Sequence, residues 1–184
     1  MTSYSRRHQT NGFVKMDRPL RDLEQQLLTK VFRNASLPSF SSIRISNQIG
    51  PTGRPFTIHS TSDDYYLHVG KALYDGDLSI LDGATLVHES THVWQYNVGT
   101  LTGTHALLAH LHFSFLGNDD DLYKYDVSHD TWNDMGFEGQ AQLVEDWFSR
   151  DSLSETSDRF VFVKKVLYTG DSKARDLTLV QLRG

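Results

Sequence analysis

The chain has 184 residues, 38% hydrophobic and 22% charged, which is enough for one domain with a substantial core and too little to suggest a second. A formal net charge of -5 argues against a nucleic-acid or anionic-membrane footprint, and no apolar run approaches the roughly 20 residues that span a bilayer. There are no cysteines, so disulfides, thiol catalysis and thiolate metal sites are excluded, and any transition metal must sit on His, Asp or Glu.

Residues 1–16 are polar, lack apolar periodicity and read as a disordered tail, with 17–184 as a single domain. The opening MTSYSRRHQTNGF carries basic residues with no apolar stretch behind them. The expectation is a cytoplasmic protein, or one exported by a route without a cleavable signal peptide. From Asp17, Pro19 suits a first helical turn, and Leu20, Leu23, Leu27, Leu28, Val31 and Phe32 recur at helical spacing, which predicts a helix ending near Asn34. Three segments, 42–45, 56–59 and 65–69, have strand character between turn formers and predict a small antiparallel sheet. A helix is predicted over 78–98, with Gly99 placed to end it, and another over 106–115, followed by a loop through the acidic run Asp119 to Asp121. Residues 137–148 read as a helix with Phe137, Ala141, Val144 and Phe148 on one stripe, and 158–167 and 174–182 also read as helical. The fold class is therefore α+β, mainly helical, with a small sheet in the N-terminal half. Trp94, Trp132 and Trp147 are expected in the core or a pocket wall.

The stretch richest in chemistry is LVHESTHVWQY, residues 86–96, which contains His88, Glu89 and His92 as H-E-x-x-H. On a helix, positions i and i+4 lie one above the other, so both imidazoles can bind one Zn²⁺ at about 2.0–2.1 Å. Glu89 is turned about a third of a turn off that axis, where it can act as general base and acid on a metal-activated water. With nine histidines and five glutamates, a chance H-E-x-x-H is roughly a 1% event, and a chance copy would have no reason to fall on a predicted helix with an apolar side.

A catalytic zinc needs a third protein ligand. Glu138 and Glu145 on FEGQAQLVEDWF are seven residues apart and share a helix face, so spacing does not choose between them. His105, His110, His112 and His129 are further candidates. The first three do not fall on one helix face, which argues against a second site there. The run Asp119 to Asp121 lacks the spacing of a calcium loop.

The H-E-x-x-H and a glutamate on a later helix resemble the gluzincin metallopeptidases. More closely, LVHESTHVWQY, then YKYD, then FEGQAQLVEDWF is similar to small bacterial zinc-peptidase-like proteins, some found beside or fused to type VI secretion spike and Rhs-type proteins. The helix ending in VFRNA and the strand SIRISNQI extend the likeness over most of residues 17–148. The resemblance implies a zincin-like metallopeptidase domain with Zn²⁺ on His88, His92 and Glu138. It also implies a peptide or protein substrate and a bacterial effector or toxin setting with a secretion-system or immunity protein as partner. The rival expectation is a catalytically silent zincin-fold adaptor. Two positions depart from the pattern: Gly139 stands where the motif has Gln, and Gln142 stands where several gluzincins carry a carboxylate that orients a metal-bound histidine. Tyr123 and Tyr125 match a Y-x-Y segment, and Tyr125 is the candidate donor to the oxyanion of a tetrahedral intermediate.

Overall fold

The computed structural model describes residues 16–50, 53–60, 63–102 and 121–184. Four short strands, β1 (Asp17–Pro19), β2 (Ile43–Ser46), β3 (Phe56–His59) and β4 (Tyr65–His68), form one sheet in the order β1-β2-β4-β3. The outer pairs are antiparallel as expected, but the central pair is parallel, running from Ile43 opposite Tyr65 to Ser46 opposite His68. The chain reverses once between β2 and β3 and again at the turn closed by Ser60 N–H on the Asp64 carbonyl, and two reversals leave β4 pointing the same way as β2. Ile43, Ile45, Leu67 and His68 on this central pair are buried, as parallel strands require.

Pro19 lies in β1 and not in the first turn of a helix. An edge strand tolerates a residue with no N–H, and the helix α1 (Asp22–Phe32) starts three residues later. There the Arg21 N–H donates to Glu24 Oε2 at 2.8 Å, which satisfies a group left open at the helix start. The short helices α2 (Gly70–Tyr74) and α3 (Leu78–Leu81) follow, then α4 (Gly83–Asn97).

The predicted helix over 78–98 is thus two helices, broken at Asp82 (φ -160°, ψ 72°). Its carboxylate accepts from Thr85 N–H at 3.0 Å and from the Thr85 hydroxyl at 2.7 Å, so the residue serves as the N-cap of α4 and cannot be helical itself. Gly99, at φ +74°, ends α4 in a conformation that favours glycine. Beyond it come α5 (Gly136–Ser149), α6 (Asp158–Phe162) running into a π-helical stretch Val163–Tyr168, a 3-10 turn Ser172–Asp176, and α7 (Leu179–Arg183). The predicted helix at 174–182 is interrupted at Leu177, which is extended so that Thr178 can begin α7 with its N–H on Gln181 Oε1. The expected tail and the expected helix at 106–115 lie outside the described residues, apart from Met16, whose N–H donates to Asn47 Oδ1.

α4 is the centre of the molecule. It packs most extensively on α5 and also on β3, α3 and α1. Eleven consecutive residues, from Leu86 to Tyr96, are buried. Trp94 meets Trp132 edge-on at 6.0 Å, and Trp147 stacks on Phe160 at 5.4 Å, so all three tryptophans are in the core. Among the described residues no helix is long and apolar enough to cross a membrane.

Candidate metal centre

His88 and His92 stand one turn apart on the face of α4 that meets α5, with ring centroids 5.0 Å apart. Both point Nε2 at the same oxygen: Glu138 Oε2 is 3.2 Å from His88 Nε2 and 3.3 Å from His92 Nε2. The three candidate ligand atoms all lie within 4.8 Å of one another, so the cluster can hold a metal ion. It is the one such cluster among the described residues. Two imidazole nitrogens and a carboxylate oxygen suit a borderline cation such as zinc, and the residues present fit that ion.

The structure separates the two glutamates that spacing leaves equivalent. Glu138, in the first turn of α5, reaches the Nε2 side of the histidines. Glu145, two turns further on, reaches the opposite ring nitrogen, with Oε2 3.0 Å from His88 Nδ1. A carboxylate on the far nitrogen of a metal-binding histidine fixes its tautomer and orientation. Glu145 therefore stands where a carboxylate would orient His88, a task for which Gln142 is unsuited, and Gln142 instead donates to Asp146 at 3.0 Å. His92 is held by a neutral group: Gln95 Oε1 lies 2.7 Å from its Nδ1. His129 is exposed and pairs with Asp126, while His105, His110 and His112 lie outside the described residues.

Glu89 is 4% exposed and turned towards β3, where the Thr57 hydroxyl is 2.7 Å from Glu89 Oε2. The same hydroxyl is 3.0 Å from the Glu89 carbonyl oxygen, so its single hydrogen is shared between the carboxylate and the backbone of Glu89. Burial pushes the Glu89 carboxyl up, and the nearby histidines and Thr57 only partly offset this. A base moved towards neutrality is better matched to proton transfer near pH 7. Burial pushes the His88 imidazole down, but Glu138 and Glu145 on either side outweigh it and raise it to about 10. For Glu138 burial acts upward and the two histidines outweigh it, holding the carboxyl well below the usual range. The histidines and Glu138 thus favour one another's charged forms.

Tyr125 is placed differently from the sequence expectation. Its hydroxyl donates to Asp146 Oδ2 at 2.7 Å and accepts from Arg159 Nε at 2.5 Å, so it ties the segment before α5 to α5 and α6. It is Tyr123 whose ring lies beside His88, 5.8 Å between centroids, with the Arg54 guanidinium 5.5 Å from the Tyr123 ring. Tyr123 lies in a turn, which breaks the two-residue alternation that would put both phenols on one face, and the Tyr125 hydroxyl is directed to Asp146 and Arg159 instead. Gly139 lets this segment lie close, because a Cβ there would stand 3.2 Å from the Lys124 carbonyl oxygen. Replacing Tyr125 with Phe is expected to cost about 1–3 kcal/mol in urea denaturation, since buried groups lose a partner, and to leave metal content unchanged. A fall in kcat at unchanged stability would return Tyr125 to the chemistry.

Two residues at the site, Thr57 and Gln95, were not found by motif reasoning, and Glu145 was found as a candidate ligand and not as a partner of His88 Nδ1. Only Glu145 had a usable signal, the two-turn spacing from Glu138 that puts both on one face. In comparisons with family models, curated proteins and solved structures, nothing matches this chain.

Proposed function

We propose that the protein is a zinc-dependent peptidase in which His88, His92 and Glu138 hold the ion and Glu89 handles the proton. The supporting observation is the convergence of His88 Nε2 and His92 Nε2 on one Glu138 oxygen, at 3.2 and 3.3 Å, with Glu89 on the same helix one residue past the first histidine. When bound, zinc would supply a Lewis acid for the peptide carbonyl and would lower the pKa of a water towards about 7. Thr57 engages Glu89 Oε2, which leaves Oε1 to take the proton of the attacking water and to pass it to the departing amine nitrogen. Tyr123 is the phenol that would donate to the oxygen that becomes negative at the scissile carbonyl, a role supported by its ring lying beside His88. Glu145 and Gln95 keep the imidazoles in place. The motif resemblance to secretion-associated proteins makes an exported effector the proposed setting.

The test is the metal content of protein purified with neither added metal nor chelator, comparing wild type with His88→Ala and Glu138→Ala. About one zinc per chain in wild type, lost in both variants, is the expected result. Wild type that stays free of zinc after zinc is supplied refutes the proposal.

A further inference from the structure

Gln95 is fully buried on α4, three residues after His92, and it is the inner end of a chain of amides. Its Oε1 faces His92 Nδ1 at 2.7 Å, while its amide nitrogen donates to the Phe137 carbonyl at 3.0 Å and to Gln140 Oε1 at 2.9 Å. Gln140, itself 5% exposed, donates from its own amide nitrogen to the Trp132 carbonyl at 2.9 Å.

A backbone carbonyl can only accept, so each of these contacts has a fixed direction. Trp132 fixes which way the Gln140 amide is turned. Phe137 and Gln140 together fix the Gln95 amide, and the atom left to face His92 is an oxygen. His92 Nδ1 must then keep its proton, which leaves Nε2, 3.3 Å from Glu138 Oε2, as the nitrogen that would give up its proton to an ion. Both anchoring carbonyls belong to α5 or the turn before it, so the element that supplies Glu138 also sets the ring that Glu138 faces.

We infer that Gln95, turned by Gln140 and the first turn of α5, is a positioning residue that selects the tautomer and ring orientation of His92 for metal binding. The inference rests on the metal site proposed above. A neutral acceptor suits this position, since Glu89, Glu138 and Glu145 already crowd carboxylates around the two histidines and a fourth, fully buried, would be costly to desolvate. His88 takes the other solution, because Glu145 keeps 23% of its side chain in contact with solvent.

The experiment compares zinc affinity, by competition with a chromophoric chelator, and melting temperature for wild type, Gln95→Leu and Gln95→Glu. Gln95→Leu removes the acceptor and is expected to weaken zinc binding about 10–100-fold. Gln95→Glu restores an acceptor to Nδ1 and is expected to bind zinc close to the wild-type level. It should nonetheless melt lower, because it turns an acceptor towards the Phe137 carbonyl and Gln140 Oε1. A merely structural role would make affinity follow melting temperature in both variants. Unchanged affinity in Gln95→Leu, or affinity in Gln95→Glu as weak as in Gln95→Leu, overturns the inference. The ¹⁵N imidazole spectrum of zinc-loaded wild type tests it without any substitution: a proton on His92 Nδ1 is expected, and one on Nε2 refutes it. Absence of zinc from wild type would bring down the metal-site proposal and this inference with it, whereas equal binding by all three proteins refutes this inference alone.

Discussion

Glu89→Gln should bind zinc as wild type does and lose hydrolysis of an unfolded protein substrate by about 10²–10⁴-fold, the usual contribution of a general base. The substitution is close to isosteric, and the Thr57 hydroxyl, 2.7 Å from Glu89 Oε2, can donate equally well to a glutamine oxygen. The local fold is therefore kept while the proton acceptor is removed. Zinc content and turnover measured on the same preparation separate the cases. Turnover at the wild-type rate would take Glu89 out of the mechanism. Wild type that holds zinc but cuts nothing would instead favour a binding or adaptor role for the same fold.

The second large effect lies away from the site. Glu24 is wholly buried and accepts four hydrogen bonds of 2.8 Å: two from the Arg18 guanidinium, one from Arg21 N–H and one from Leu78 N–H. Arg18 continues to the carbonyls of Tyr74 and Gly76, so one ion pair joins β1, α1 and the start of α3. Glu24→Ala leaves a largely buried cation unmatched and is expected to cost about 3–5 kcal/mol in chemical denaturation. Burial pushes the Glu24 carboxyl up, but the Arg18 bond, the two backbone N–H groups and the Arg18 charge together hold it below its ordinary value of 4.5. A group whose pKa is depressed by folding contributes its stability above the unfolded value and loses it as pH falls through the folded one. Wild type should therefore lose stability progressively below about pH 4.5, and Glu24→Gln should show less of that loss. A variant as stable as wild type at pH 7 would mean that the pair is replaceable.

Much of the architecture was legible because it rests on local pattern. The helices at 22–32, 83–97 and 136–149 follow apolar periodicity, and the three later strands follow β-rich runs between turns. Legibility failed where a side chain overrides the pattern. Asp82 turns back on Thr85 and splits a helix that periodicity alone would join, and Pro19 fits a helix start as well as an edge strand. The parallel pairing of β2 with β4 depends on which strand takes the central place, a long-range choice that no short window contains. At the site, His88, Glu89 and His92 are bound together by helical spacing, so their juxtaposition was readable. Glu138 and Glu145 were readable as a pair, but their division of labour was not, because it depends on how α5 is seated along α4. Thr57 is 32 residues from Glu89 and Gln140 is 45 from Gln95, distances at which sequence spacing carries no geometry.

Because α4 is buried without interruption from Leu86 to Tyr96, its backbone amides have no route to solvent short of opening the surrounding layers. Local fraying, which exposes the ends of most helices, does not reach the motif. Amide hydrogens around His88–His92 should thus exchange only through the rarest openings of the molecule, at rates set by the free energy of complete unfolding. Protection of that helix is then inherited from packing rather than from a bound ion, so it should be the same whether or not zinc is supplied.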